Sequence, residues 1–223
     1  MSRSFAAVCL AAVLLAGCGG KDKPKENPSP APQVDANGCP PARDPGPRDN
    51  ITFTAPAGEK LDPSRTYVAT VDTNCGAFEI TLDVADAPAT AASFKFLADQ
   101  KFYDGLLFHR IVPGFVIQGG DPKNDGTGGP GYTTVEAPSR TTKYEKYMVA
   151  MAKAGDAAPG TAGSQFFVAT GADALKLDPE YALLGKVTGG QPVVDKIGAI
   201  ITDPRTDFPE VPVLIKSIRV AAV

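Results

Sequence analysis

The chain has 223 residues, of which 43% are hydrophobic and 21% charged, and its net charge at pH 7 is −3. A mildly negative charge, without basic runs among aromatic residues, argues against a nucleic-acid partner. Beyond the first 60 positions roughly 160 residues remain, which is enough for one domain with a single hydrophobic core.

The N-terminus has the pattern of a secretory signal peptide over residues 1–17. Arg3 supplies the positive charge, residues 5–15 form the apolar segment, and residues 15–18 (Leu-Ala-Gly-Cys) form a cleavage site with small side chains. The apolar segment is too short for a permanent membrane-spanning helix, which needs about 20 residues.

The cleavage site also matches the bacterial lipobox, in which the cysteine is diacylated and becomes the first mature residue. We therefore expect Cys18 to be lipidated and to hold the protein at the cell membrane, on the extracytoplasmic face. The alternative is an ordinary secretory signal with an incidental cysteine.

Residues 18–60 are predicted to form a tether. Eight prolines lie between positions 24 and 47, and large apolar side chains are few. Such a segment cannot bury enough surface to offset its ordering entropy. We therefore expect an extended, mobile chain that separates the domain, residues 61–223, from the lipid.

Cys39 and Cys75 remain after Cys9 leaves with the signal peptide and Cys18 is lipidated. In an oxidising compartment such a pair is expected to form a disulfide, which would fix the end of the tether to the domain. The loop-entropy model assigns this bridge roughly 3–4 kcal/mol. The alternative is two free thiols.

The domain begins with a predicted β-hairpin. Residues 66–73 and 77–82 alternate in polarity, and Asn74-Cys75-Gly76 is a turn sequence. Residues 87–100 predict a helix, because Pro88 suits a first helical turn and an apolar stripe follows at helical spacing.

The most specific stretch is residues 108–121, Phe-His-Arg-Ile-Val-Pro-Gly-Phe-Val-Ile-Gln-Gly-Gly-Asp. It predicts two short strands, 108–112 and 116–118, joined by a Pro-Gly turn. Adjoining strands would place Arg110, Phe115 and Gln118 on one concave surface. The stretch holds no nucleophile–base pair and no cluster of metal ligands, so we expect neither a metal nor a cofactor.

The remainder predicts a loop, four strands and one helix. The glycine-rich residues 126–131 lack the ending of a phosphate-binding loop, so we expect a loop packed beside the site. The strands are predicted over 147–151, 165–170, 183–187 and 213–220, and the helix over 192–197. Many short strands with two helices suggest an antiparallel barrel.

Three ordered motifs closely resemble those of the cyclophilins, which are peptidyl-prolyl cis-trans isomerases. They are residues 108–121, residues 163–170 (Gly-Ser-Gln-Phe-Phe-Val-Ala-Thr) and residues 181–187 (Tyr-Ala-Leu-Leu-Gly-Lys-Val). The resemblance runs from about residue 65 to the end of the chain. It implies a mainly β fold, a closed eight-stranded antiparallel β-barrel capped by two helices. It also implies an isomerase that rotates X-Pro bonds, with proline-containing polypeptides as substrates. Together with the predicted signal peptide, this leads us to expect a monomer that acts on exported proteins and assists their folding.

By resemblance, Arg110, Phe115 and Gln118 form the catalytic set, with the always charged Arg110 as the donor. The other implied substrate contacts are His109, Val116, Met151, Ala152, Lys153, Gln165, Phe167, Leu177 and Tyr181. Phe115, Val116, Phe167 and Leu177 would line the proline pocket, so Phe166 should point into the core. The structural alternatives are a salt-bridged Arg110, ordinary barrel core for the apolar residues, and a structural role for His109, the only histidine.

Three departures from the best-known eukaryotic pattern bear on the site. Lys153 replaces an asparagine, Tyr181 replaces a histidine, and Leu175 or Lys176 lies where cyclosporin-sensitive members carry tryptophan. These changes leave the catalytic set in place and predict weak cyclosporin binding. Two other functions compete with an isomerase: a module that holds proline segments without turnover, and a surface lipoprotein with an interaction role.

Overall fold

The structure is a computed structural model that describes residues 38–48, 51–55 and 60–223. The predicted signal peptide, the predicted lipidation site Cys18 and the first part of the predicted tether lie outside these residues. In the described part of the chain, no helix is long and apolar enough to cross a membrane.

The described residues form ten strands and two α-helices. In chain order these are β1 Tyr67–Thr73, β2 Gly76–Leu82, α1 Pro88–Asp99, β3 Arg110–Val112, β4 Val116–Gly119, β5 Thr134–Val135, β6 Met148–Met151, β7 Thr161–Ala162, β8 Phe166–Ala169, β9 Leu183–Gly189, α2 Gln191–Gly198 and β10 Ile215–Ala222. Eight strands pair in the order β10-β1-β2-β9-β6-β8-β4-β3, and β5 pairs with β7 in a separate small sheet.

The prediction of a closed barrel is wrong. The eight-stranded sheet is an open half-barrel that turns through 207°. Its edge strands β3 and β10 do not pair with each other, and the segments just before them meet at the isolated Leu107–Leu214 bridge. β3 has three residues, and the segment facing it contains Pro209 and Pro212. Proline has no N–H to donate to a ladder, so regular pairing stops at this edge.

The predicted strands and helices are otherwise confirmed to within a few residues. α1 buries the predicted apolar stripe, and Pro88 lies in its first turn. The elements that sequence patterns missed are the two-residue strands β5 and β7 and the 3-10 helix Ala172–Lys176. A strand of two residues has too few positions to show alternation.

Strand β8 separates two apolar clusters. Phe166 lies in the main core, to which α1 contributes Phe94 and α2 contributes Val194. Its neighbour Phe167 lies in a smaller cluster with Val116, Tyr144 and Ala150. Successive side chains of a strand point to opposite faces, and the expected inward direction of Phe166 is confirmed.

The described part of the predicted tether packs against the domain. We call residues 38–48 and 51–55 the N-terminal strap. The structure contains the Cys39–Cys75 disulfide, which joins the strap to the turn between β1 and β2. Phe53 packs edge-on against Phe96 and Phe102, with ring centroids 6.0 Å apart in each pair. The packed domain therefore begins before residue 61.

A carboxylate from a distant part of the sequence caps helix α1. The helix has no side-chain cap of its own. Instead, Glu136 accepts hydrogen bonds from the backbone N–H groups of Ala89 and Thr90, at 3.1 and 2.8 Å, and from the Thr90 hydroxyl at 2.7 Å. A negative charge at a helix N-terminus is favourable because it lies at the positive end of the helix dipole.

We predict that Glu136→Gln lowers the free energy of unfolding by about 1 kcal/mol, because the charge is lost while the shape is kept. Urea denaturation measures this difference. The matched control is Glu210→Gln, which removes a charge from an exposed position. Equal stability of the two variants would contradict the capping role.

Candidate active site

Three neighbouring strands place the polar and apolar parts of the site side by side. Arg110 on β3 is paired with Gln118 on β4, and Gln118 is paired with Phe167 on β8. Paired residues of antiparallel strands lie on the same face of a sheet. The three side chains therefore form one row across the outer face, with Phe115 at the turn beside them.

Arg110 is fixed by two partners and keeps donors to spare. Its Nε donates to the Asp207 carboxylate at 3.1 Å, and one terminal nitrogen donates to Gln118 Oε1 at 3.4 Å. Its guanidinium carbon lies 5.9 Å from the centre of the Phe115 ring. Of the five N–H donors of an arginine, three have no hydrogen-bond partner among the described residues, so they are available to a ligand.

A hydrogen-bonded chain of two amides continues from Arg110. Gln118 donates through Nε2 to Gln165 Oε1 at 3.0 Å. Gln165 in turn donates through Nε2 to the carbonyls of Gly126 and Gly128, both at 2.9 Å. Both glutamine amides therefore have one defined orientation.

A pocket of about 260 Å³ opens beside this row. It is lined by Arg110, Phe115, Val116, Gln118, Ala152, Lys153, Phe167, Leu177 and Tyr181. The volume lies below the roughly 300–1,000 Å³ of pockets that enclose drug-sized molecules. A pocket of this size, lined by apolar side chains together with the polar groups of Arg110, Gln118 and Lys153, suits a single small ring.

Tyr181 closes one side of the pocket and is held by buried groups. Its ring packs edge-on against Phe167 at 5.4 Å. Its backbone N–H donates to the Tyr144 hydroxyl at 3.0 Å, and that hydroxyl donates to the Tyr181 carbonyl at 2.9 Å. Burial raises the pKa of Tyr144 to about 12, so this hydroxyl stays protonated at neutral pH.

Lys153 supports the same side of the pocket. Its side chain is only 4% exposed, and its Nζ lies 3.2 Å from the Glu180 carboxylate. The Nζ also donates to the Ala157 carbonyl at 3.1 Å and lies 5.8 Å from the centre of the Tyr181 ring. The lysine charge is therefore neutralised locally, and its stem forms part of the wall.

Comparison with known proteins agrees with this geometry. The family described as cyclophilin type peptidyl-prolyl cis-trans isomerase/CLD matches residues 68–220. The chain belongs to the cyclophilin family. It is 41% identical over 170 residues to peptidyl-prolyl cis-trans isomerase B of Streptomyces anulatus, a match that covers 68% of this chain and 95% of the relative.

A second relative and a solved structure are also peptidyl-prolyl isomerases. Peptidyl-prolyl cis-trans isomerase A of Mycobacterium tuberculosis is 39% identical over 177 residues, covering 71% of this chain and 94% of the relative. The crystal structure of a Cryptosporidium parvum cyclophilin type isomerase superposes with a TM-score of 0.64 at 28% identity, covering 70% of this chain and 98% of that one.

The cyclophilin site brings together most of the residues predicted from sequence. Nine of them line the pocket, and Gln165 stands behind Gln118. Met151 is buried in the main core. Leu175 is half-exposed on the 3-10 helix beside Lys176, and neither lines the pocket, whereas the next residue, Leu177, does.

His109 lies beneath the site. His109 is 5% exposed and lies in the segment just before β3. Burial lowers the pKa of His109, and the nearby Asp121 charge offsets part of that shift. His109 is therefore placed as a neutral, buried neighbour of Arg110, away from the open pocket.

Sequence reasoning missed Asp207, Tyr144 and Glu180, which hold the residues that face the pocket. Asp207 lies 97 positions from Arg110 in sequence, and Tyr144 lies 37 from Tyr181. No local pattern signals such pairings. One weak signal exists at Asp207, because aspartate tolerates the left-handed backbone conformation (φ 58°) found there better than most residues do.

We predict that Asp207→Asn lowers kcat/KM by about threefold to tenfold, or roughly 0.7–1.4 kcal/mol. Asparagine tolerates the same backbone conformation, but it replaces the carboxylate acceptor with a neutral amide oxygen, which binds the Arg110 guanidinium more weakly. The control is Asp203→Asn. The Asp203 carboxylate lies on the same segment but pairs with Arg205 and not with Arg110. If both variants lose activity equally, the prediction that Asp207 orients Arg110 is wrong.

We also predict that His109 titrates below its usual pKa of about 6.5, since its folded-state pKa is lowered by burial. Between those two pKa values the unfolded state binds more protons than the folded state. The contribution of His109 to the free energy of unfolding is therefore complete above pH 6.5 and decreases as the pH falls below that value. NMR of the single imidazole in tag-free protein measures the midpoint directly. A midpoint at or above 6.5 contradicts the buried neutral state.

Proposed function

We propose that this peptidyl-prolyl isomerase acts outside the cytoplasm, anchored to the cell membrane through Cys18, on proline-containing segments of exported proteins. Isomerase activity follows from membership of the family and from close relatives that carry that name. The anchor, the compartment and the substrates are the parts that we propose.

The chemical task defines what the pocket has to do. Amide resonance gives the peptide bond a barrier of about 18–20 kcal/mol, and X-Pro bonds isomerise in tens to hundreds of seconds. At the twisted transition state resonance is lost, and a lone pair appears on the prolyl nitrogen. A catalyst therefore has to bind the twisted form better than either planar form. No proton transfer or covalent intermediate is needed.

The observation that carries the mechanism is the position of Arg110. Arg110 lines the pocket beside Phe115, Val116, Phe167 and Leu177, and three of its N–H groups have no partner among the described residues. With the ring held against Phe115, Phe167 and Leu177, a fixed guanidinium can donate to the prolyl nitrogen as the bond twists. Because the Asp207 carboxylate and Gln118 orient the group in advance, little reorganisation accompanies the reaction.

The pocket also supports our proposal for the substrate and the assembly. One solved structure of the Cryptosporidium parvum relative was determined in the presence of the dipeptide Ala-Pro, which is the smallest unit with an X-Pro bond. In this protein a single copy of the chain supplies both the apolar and the polar residues that line the pocket. We therefore propose that the monomer is the active form and that it takes proline-containing polypeptides.

We predict that Arg110→Ala lowers kcat/KM for a proline peptide by about 100-fold, or roughly 2.7 kcal/mol, with the fold unchanged. The loss should fall mainly on kcat, because the donor acts on the twisted bond. A protease-coupled isomerisation assay gives the rate, and circular dichroism confirms the fold. A folded variant with nearly full activity would contradict the mechanism.

The matched control is Arg110→Lys, which keeps the charge and loses the planar fork. We expect it to recover only part of the activity. Peptide affinity, measured by calorimetry, separates turnover from binding. Wild-type protein that binds proline peptides without accelerating their isomerisation would favour the alternative of a non-catalytic binding module.

Two features support the proposed location. Residues 15–18 match a lipobox, as described above, and two acyl chains on Cys18 suffice for stable membrane attachment. The Cys39–Cys75 disulfide is typical of an oxidising, extracytoplasmic compartment. The segment between Cys18 and Cys39 would then join the lipid to the domain.

We predict that Cys18→Ser abolishes incorporation of labelled fatty acid and moves the protein from the membrane fraction to unprocessed precursor or released protein. The control is Cys9→Ser within the apolar segment, which should leave labelling intact. Unchanged labelling and fractionation of the Cys18 variant would rule out the lipid anchor.

A further inference from the structure

We propose that the N-terminal strap is a positioning element of the active site. It holds the glycine-rich loop, residues 121–131, and this loop orients Gln165 behind Gln118. The inference rests on the proposed isomerase function for its kinetic test. The strap lies outside residues 68–220, the part of the chain that matches the family model.

The strap is fastened at its start by covalent and polar contacts. The Cys39–Cys75 disulfide joins it to the β1–β2 turn. At the same turn, the Asn74 side chain donates to the Pro40 carbonyl at 2.8 Å. The path of the strap is therefore set where it first meets the domain.

Further along, two aromatic contacts hold the strap near α1. Arg48 donates to the Phe102 carbonyl, and its guanidinium lies 6.0 Å from the centre of the Phe102 ring. Phe53 packs edge-on against Phe102 and against Phe96 of α1. These contacts fix residues 48 and 53 relative to the core.

The same two strap residues hold both ends of the glycine-rich loop. The backbone N–H of Arg48 donates to the Pro122 carbonyl at 2.7 Å, and that of Phe53 donates to the Pro130 carbonyl at 2.8 Å. Thr52 packs so closely on Gly131 that a Cβ added there would lie 3.0 Å from the Thr52 Cβ. Gly131 also has φ 89°, where side chains are strained.

Between these two ends, the loop meets the catalytic row. The carbonyls of Gly126 and Gly128 accept from Gln165, which accepts from Gln118, which accepts from Arg110. Asp121 stiffens the loop by accepting from the backbone N–H groups of Lys123, Asp125 and Gly126. The strap is therefore linked to the catalytic arginine through the backbone of the loop and the hydrogen bonds at each end of this route.

The test uses the full chain and two ways of loosening the strap. Phe53→Ala removes ring packing and keeps the disulfide, whereas Cys39→Ser with Cys75→Ser removes the bridge. The control is Ile80→Val in β2, which removes one methyl group from the core at a position outside the strap and the loop. We expect both strap variants to lower kcat/KM by about 3- to 30-fold, mostly as a rise in KM, because Gln118 lines the pocket and is proposed to hold substrate backbone throughout the reaction.

Hydrogen exchange supplies a readout that does not depend on activity. Exchange of the amides in residues 122–130 should become faster in the strap variants and stay unchanged in Ile80→Val. Unchanged loop exchange in Phe53→Ala would overturn the proposal. If the double serine variant fails to fold, Phe53→Ala decides alone.

A double-mutant cycle tests the route through Gln165. In a Gln165→Ala background the Phe53→Ala change should have little further effect on KM, because the link to Gln118 is already broken. An equal loss in both backgrounds would overturn the proposed route, because the effect of the strap would then not pass through Gln165. Wild-type protein without isomerase activity would refute the proposed function, and loop exchange would then decide the strap proposal separately.

Discussion

The register of strand β4 is the constraint on which the site depends. Gln118 pairs with Arg110 on one side and with Phe167 on the other, and its neighbour Ile117 pairs with Ile111 and Val168. A slip of one residue would move Ile117 to the outer face and Gln118 into the core, because side chains alternate between faces. Burial of Ile117 in the core therefore fixes the positions of the donors outside it.

The open edge of the half-barrel contributes directly to the chemistry. A regular ladder between β3 and β10 would leave no room for an irregular segment, yet the segment before β10 supplies Asp207. The carbonyl of Asp207 accepts from the Ile111 N–H at 2.9 Å, and its carboxylate accepts from Arg110. One residue thus completes the edge of the sheet and orients the catalytic donor.

The pocket combines a rigid wall with unsatisfied donors. The polar groups behind the pocket surface find hydrogen-bond or ion-pair partners in Tyr144, Glu180 and Gln165. These partners matter because a buried polar group without one costs about 1–3 kcal/mol. Arg110 keeps free N–H groups only because it is partly open to solvent, with a side chain 35% exposed. Its open donors therefore cost little before a substrate arrives.

The sequence alone determined the elements with long or distinctive patterns. Alternation predicted the β1–β2 hairpin, helical spacing predicted α1, and the ordered motifs indicated the family and the residues that line the pocket. These signals are local, because a strand or a helix repeats its pattern within a few residues. The tertiary structure alone decided the open sheet, the packing of the strap, and the partners Asp207, Tyr144 and Glu180. Each of these depends on contacts between distant segments, and a residue's spacing along the chain carries no information about which distant group it will meet.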